Sequence, residues 1–153
     1  MQLVLNEWFL DYMAPESLNV RLILRLLDAI ETKGDQIVIK RPSPFTEKFY
    51  RLNKLYGNQG QPSSRPVFRR FALLMRDDRR VRLVEEEEIQ SLPEAVLEFV
   101  DPEDRYLAEI AALTRERTIV TTDTKLKDKL NGKDGFRVTL LDEFLEEYLP
   151  KGE

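Results

Sequence analysis

Short apolar runs alternate with longer stretches in which apolar residues recur every three or four positions. Gln2–Asn6 (QLVLN) is the first such run and predicts a strand. Leu18, Leu22, Ile23, Leu26, Leu27 and Ile30 then form one helical stripe. Pro15 fits the start of that helix, which extends to about Thr32, and Gly34 fits its stop. Gln36–Lys40 (QIVIK) predicts a second strand. Ser43-Pro44 reads as a cap and first residue of a helix with Phe45, Phe49, Leu52 and Tyr56 on its apolar face and Gly57 at its end. Asn58–Pro66 is turn formers and polar residues, hence a loop. Val67–Met75 is expected to be helical, Val81–Val84 a short strand, and Ile89–Val100 helical pieces broken at Pro93. Asp101 and Pro102 open a helix that buries Leu107, Ile110, Ala111 and Leu113. Thr118–Thr122 (TIVTT) is β-branched and predicts a buried strand, with Asp123 capping the helix of Leu126 and Leu130. A turn at Asp134-Gly135, a strand Phe136–Leu140 and a helix Asp142–Leu149 complete the chain.

Strands alternating with helices indicate an α/β fold around a mostly parallel sheet, and 153 residues suit a single domain, 1–153, with one core. In such sheets ligands bind beyond the carboxyl ends of the strands. Asn6, Glu47, Asp104 and Asp123 are all expected near that edge.

Composition narrows the chemistry. The absence of cysteine and histidine removes disulfides, thiolate sites and imidazole ligands or bases. Any metal must be held by oxygen, which favours Mg²⁺ or Mn²⁺. No apolar run is long enough to span a membrane, and MQLVLNEWFLDYM does not read as a signal peptide, so a cytoplasmic protein is expected. Net charge is −4, yet Arg65–Arg82 holds seven arginines against two acids, followed directly by four glutamates, Glu85–Glu88.

Carboxylates converging on one crevice repel each other, and a hard divalent cation relieves that repulsion. Such a site supports hydrolysis of a phosphodiester without histidine. The competing explanation is local. Acids in a first helical turn favour the helix dipole, and Asp123 is a good cap, so each acid alone has an ordinary structural role.

IVTTDTKL preceded by DRYLAEIAAL resembles the C-terminal half of PIN domains, a family of metal-dependent ribonucleases. That family's pattern is an aspartate opening a helix, small and apolar residues along it, then an apolar strand ending in Thr-x-Asp. Asp104, the run Leu107–Leu113, and Thr121-Thr122-Asp123 match it. FRVTLLDEFLEEYL resembles the family's last strand and helix, and IVIKRPSPFTEKF its second strand and glutamate-bearing helix, with the glutamate at Glu47. The likeness covers the chain except about Asn58–Glu94. It implies a three-layer α/β/α sandwich and Mg²⁺- or Mn²⁺-dependent RNA cleavage. Glu47, Asp104 and Asp123 would hold metal with Asn6 assisting, and Thr121, Thr122 and Lys125 would support them.

Two departures stand out. The family's first strand ends in Asp-x-Asn, and the aspartate position here is Asn6; a frequent second aspartate is Lys125. Glu7, next to Asn6, is expected on the other side of the strand, and Asp11 reaches the crevice only if its segment bends. Arg69, Arg70, Arg76, Arg79 and Arg80 are the candidate RNA contacts. The alternatives are a PIN-like module that binds RNA or protein with its catalysis disabled at Asn6, a toxin neutralised by an antitoxin-like partner, and an unrelated α/β domain whose acids are only caps. A homodimer is a further expectation from the resemblance.

Overall fold

The computed structural model describes residues 1–14, 19–58 and 65–151. Five strands form one parallel sheet: β1 (Gln2–Leu5), β2 (Gln36–Arg41), β3 (Val81–Glu85), β4 (Thr118–Thr121) and β5 (Arg137–Leu140). Their order is β3-β2-β1-β4-β5, so β1 is central and the order reverses beside it. Leu3 pairs with Ile37 on one side and Thr118 on the other. Consecutive residues of β1, β2 and β4 are buried, so both faces of the central strands are covered. That burial suits helical layers on both sides.

The helices are α1 (Trp8–Asp11), α2 (Val20–Lys33), α3 (Pro44–Leu52), α4 (Arg65–Leu74), α5 (Glu94–Phe99), α6 (Arg105–Ala111), α7 (Thr124–Leu130) and α8 (Leu141–Tyr148). Local chemistry sets many of their ends. Gly34 closes α2 at φ 73°, a left-handed conformation that costs glycine little. Ser43 Oγ accepts from Thr46 N and starts α3, with Pro44 in its first turn. The predicted start of α2 at Pro15 lies outside the described residues.

Several boundaries differ from expectation, among them the start of α4, which lies at Arg65 inside the stretch read as a loop. β1 stops at Leu5, because Asn6 and Glu7 turn the chain into α1. α3 stops at Leu52 and passes into a π-helical turn, Asn53–Asn58, so Tyr56 and Gly57 fall outside it. A 3-10 turn, Pro102–Asp104, precedes α6.

The turn after β1 is fixed by packing. Trp8 Nε1 donates to Val120 O of β4 at 3.0 Å. The Phe9 ring meets Phe71 of α4 at 5.1 Å, and Phe71 also meets Phe49 of α3 at 5.2 Å. These buried rings clamp α1 beside the carboxyl ends of β1 and β4.

Candidate active site at the carboxyl edge of the sheet

Asn6 follows the end of β1 and acts as a clamp. Its backbone N donates to Val120 O at 3.3 Å. Its Oδ1 accepts from Glu7 N at 2.6 Å, and its Nδ2 donates to Thr121 Oγ1 at 3.1 Å. Thr121 is fully buried, and its Oγ1 also accepts from Asp123 N at 3.1 Å. Asn6 and Thr121 therefore fix the backbone on which Asp123 stands. Asp123 Oδ1 accepts from Lys125 N at 2.9 Å and Leu126 N at 3.3 Å, which orients its carboxylate as the cap of α7. The side chains of Thr122 and Lys125 are exposed.

Asp104 behaves differently. It ends the 3-10 turn and precedes α6, yet its side chain makes no capping hydrogen bond, and neither does that of Asp101. Asp101 instead accepts from Lys129 Nζ of α7 at 3.2 Å. Capping accounts for Asp123 but not for Asp104. Burial, then the charge of Asp123, then those of Glu103, Asp101 and Glu7, push the Asp104 carboxyl up to about 6. Carboxylate oxygens of Asp101, Glu103 and Asp104 lie within 4.8 Å of one another.

Glu7 is the residue that the sequence reading misplaced. An extended chain through Asn6 would turn it away, but the helical turn at Glu7 brings it round. Its Oε1 accepts from the Tyr106 hydroxyl of α6 at 2.6 Å. Burial, then this hydrogen bond, push the Tyr106 phenol far above its usual range, so it stays a proton donor to Glu7. The signal for this turn was the apolar triplet Trp8-Phe9-Leu10, which suits a buried helical turn.

Glu47 lies in the first turn of α3 as expected, but its side chain is exposed and stands outside the Asp101–Glu103–Asp104 cluster. Its neighbour Lys48 pairs with Asp11 at 2.7 Å, which holds Asp11 toward α3. Further along the same edge, Lys40 of β2 bridges Glu86 at 2.9 Å and Glu109 of α6 at 3.2 Å. Burial alone would lower the Lys40 pKa, but hydrogen bonds to the two glutamates outweigh it and raise it.

The arginines lie apart from this edge. Arg76, Arg79 and Arg80 form the turn before β3, at the amino edge of the parallel sheet, where Ile37 N donates to Arg80 O. Arg79 pairs with Asp77 at 3.1 Å. On α4, Arg70 pairs with Asp28 at 2.6 Å and Glu31 at 3.3 Å of α2, and Arg69 is exposed. The segment is thus not a phosphate track leading into the acidic crevice. A cavity of about 360 Å³ also lies away from the crevice, lined by Met1, Lys33, Asp35, Arg137, Phe144, Glu147 and Tyr148. Its polar groups bond to one another: the Tyr148 hydroxyl donates to Asp35 at 2.6 Å and Arg137 pairs with Glu147 at 3.1 Å.

The acids at this edge offer oxygen donors, and those of Asp101, Glu103 and Asp104 lie within 4.8 Å of one another, with Asp123 outside that group. Oxygen donors of this kind fit a hard divalent cation, and the charges of Asp123 and Glu7 are near enough to act on Asp104. No family model, curated protein or solved structure matches this chain.

Proposed function

We propose that this chain is a metal-dependent ribonuclease of the PIN type, a three-layer sandwich whose acidic crevice hydrolyses RNA phosphodiesters. One observation supports the reading above the others. Asp104 is partly buried and makes no capping hydrogen bond, and burial followed by the charges of Asp123, Glu103, Asp101 and Glu7 pushes its carboxyl up to about 6. A fold keeps such repulsion where the function requires it. When bound, Mg²⁺ or Mn²⁺ supplies the positive charge that offsets the repulsion, steadies a phosphoryl oxygen and lowers the pKa of water. Asp104 and Asp123 would hold the cation. The two amides at Asp123 and the Asn6–Thr121 clamp keep Asp123 in place. Tyr106 holds Glu7 at the rim, where its charge takes the part of the acid missing at Asn6.

The test is cleavage of a labelled RNA with Mn²⁺ or Mg²⁺ and with EDTA. Wild type should cleave only with metal, and Asp104→Asn and Asp123→Asn should each lose at least 100-fold. Equal cleavage by wild type and both variants identifies a contaminant and ends the proposal.

A second reading, a binding module without catalysis, is favoured by Asn6, both ends of whose amide are engaged in structure. Asn6→Asp separates the two. The Thr121 hydroxyl can rotate to donate to the new carboxylate, so the fold should tolerate the change. Metal-dependent cleavage that appears only in Asn6→Asp supports the binding module, whereas an active wild type removes it.

A further inference from the structure

A second cavity, of about 340 Å³, lies between α2 and the end of the chain's last helix. Arg25, Asp28, Ala29, Thr32 and Lys33 of α2 line it, with Pro150, just past α8, as the remaining wall. Arg25, Asp28, Ala29 and Thr32 stand three, four and seven residues apart, which puts them on one helix face. The volume falls in the range of small-molecule sites, roughly 300–1,000 Å³.

Charge in this cavity is not balanced from within. The Asp28 carboxylate is already engaged by Arg70 of α4 at 2.6 Å. Lys33 Nζ donates to Tyr148 O and stands 3.9 Å from the centroid of the Tyr148 ring. Those partners carry no formal charge, so Lys33 is held in place with its own charge unmatched. Arg25 is half-buried, and among the described residues its guanidinium has no hydrogen-bond or ion-pair partner. Such a group has lost part of its hydration and still has five donors to offer.

We propose that this cavity binds a sugar phosphate. Arg25 meets the phosphate, because its planar fork matches two phosphate oxygens at once. Seven residues of helix separate Arg25 from Thr32, a rise of about 10 Å, so one ligand reaches both. At the far end the Thr32 hydroxyl and Lys33 ammonium face the sugar hydroxyls, and Asp28 offers an acceptor between the two ends. Ala29 and Pro150 supply the small apolar surface on which the C–H face of a sugar ring packs. Free sugar phosphates and mononucleotides share this group. None of the lining residues belongs to the acidic crevice, and the proposal does not depend on the nuclease reading.

The experiment is isothermal titration calorimetry of the whole chain at low salt. The separate titrants are ribose 5-phosphate, adenosine monophosphate, ribose and inorganic phosphate. At least one of the two esters should bind, with ribose and inorganic phosphate at least tenfold weaker. The tighter of the two esters identifies the source, a free sugar phosphate or a nucleotide. Arg25→Ala should weaken that ester at least tenfold, and Arg25→Lys should fall between it and wild type, because an ammonium keeps the charge and loses the fork. Arg21→Ala, exposed on α2 and outside the cavity, should stay within twofold. Since Arg25 has no partner in the unliganded protein, its variants should melt within about 2 °C of wild type. If Arg25→Ala melts lower than that, Thr32→Val decides: a loss of at least threefold supports the site and no loss overturns it. Failure of both esters to bind at millimolar concentration overturns the proposal. So does ribose or inorganic phosphate binding as tightly as the esters, or an unchanged affinity in a folded Arg25→Ala protein.

Discussion

The two edges of this sheet handle charge in opposite ways. At the amino edge beneath β1 and β5, charges meet partners. Met1 N pairs with Asp35 at 2.7 Å, Tyr148 donates to the same carboxylate, and Arg117 pairs with Asp134 at 3.1 Å. At the carboxyl edge beside β1 and β4, Asp101 pairs with Lys129 at 3.2 Å, but Asp104 sits beside the like charges of Asp101 and Glu103. Burial, then the charges of Asp123, Glu103, Asp101 and Glu7, push the Asp104 carboxyl up to about 6. One edge is arranged for stability, and the other keeps a repulsion that a bound cation would turn into an asset. The same backbone carries both, so the contrast lies in side chains and not in the fold.

The largest effects should separate the edges by activity. Asp104→Asn and Asp123→Asn should lower metal-dependent RNA cleavage at least 100-fold, whereas Tyr148→Phe should leave it within twofold. A Tyr148→Phe protein that folds but loses cleavage would break the division.

Stability should reverse the order. With no metal, Asp104→Asn should stabilise the protein at pH 7–8. A raised carboxyl pKa means the folded state binds the proton more tightly than the unfolded state. The cost of ionised Asp104 is then fully present above about pH 6 and fades as pH falls toward the ordinary value of 3.8. After allowance for screening at a partly exposed group, the gain is about 1–2 kcal/mol, or roughly 3–6 °C in melting temperature. Thermal melts of both proteins from pH 4 to 8 should show the gap closing on acidification. In the same assay Tyr148→Phe should cost about 1–2 kcal/mol, because it removes one hydrogen bond to a buried carboxylate. If Asp104→Asn destabilises as much as Tyr148→Phe, the carboxyl edge is no more strained than the other.

A smaller effect sharpens the picture further. Lys127 and Glu143 pair at 2.9 Å between α7 and α8 with the glutamate largely exposed. Lys127→Ala should change stability by less than about 0.5 kcal/mol in a urea titration, since exposed pairs contribute little.

The alternation of strands and helices was legible because apolar runs, the Ser43-Pro44 start and the Gly34 stop are local signals. The carboxyl edge was legible for the same reason, since a parallel sheet places every strand end on it. The turn at Glu7 was not, because Trp8 bonding to Val120 is a contact between residues far apart in sequence. Asp104 and Asp123 looked alike along the chain, each beside a helix start. Only the 3-10 turn and burial separate the acid without a capping bond from the acid that caps. The arginine segment read as one patch, yet its members face different neighbours: Arg70 reaches α2, and Arg76 to Arg80 lie under β3. Periodicity tells which residues share a helix face but not which edge of the sheet a turn occupies.

The most direct measurement follows the Asp104 carboxyl carbon by nuclear magnetic resonance as pH is varied, first without metal and then with Mg²⁺. A midpoint near 6 without metal that falls well below the ordinary carboxylate range with Mg²⁺ is the predicted result. A midpoint near 3.8 that Mg²⁺ leaves in place would contradict the assignment of the crevice as a cation site.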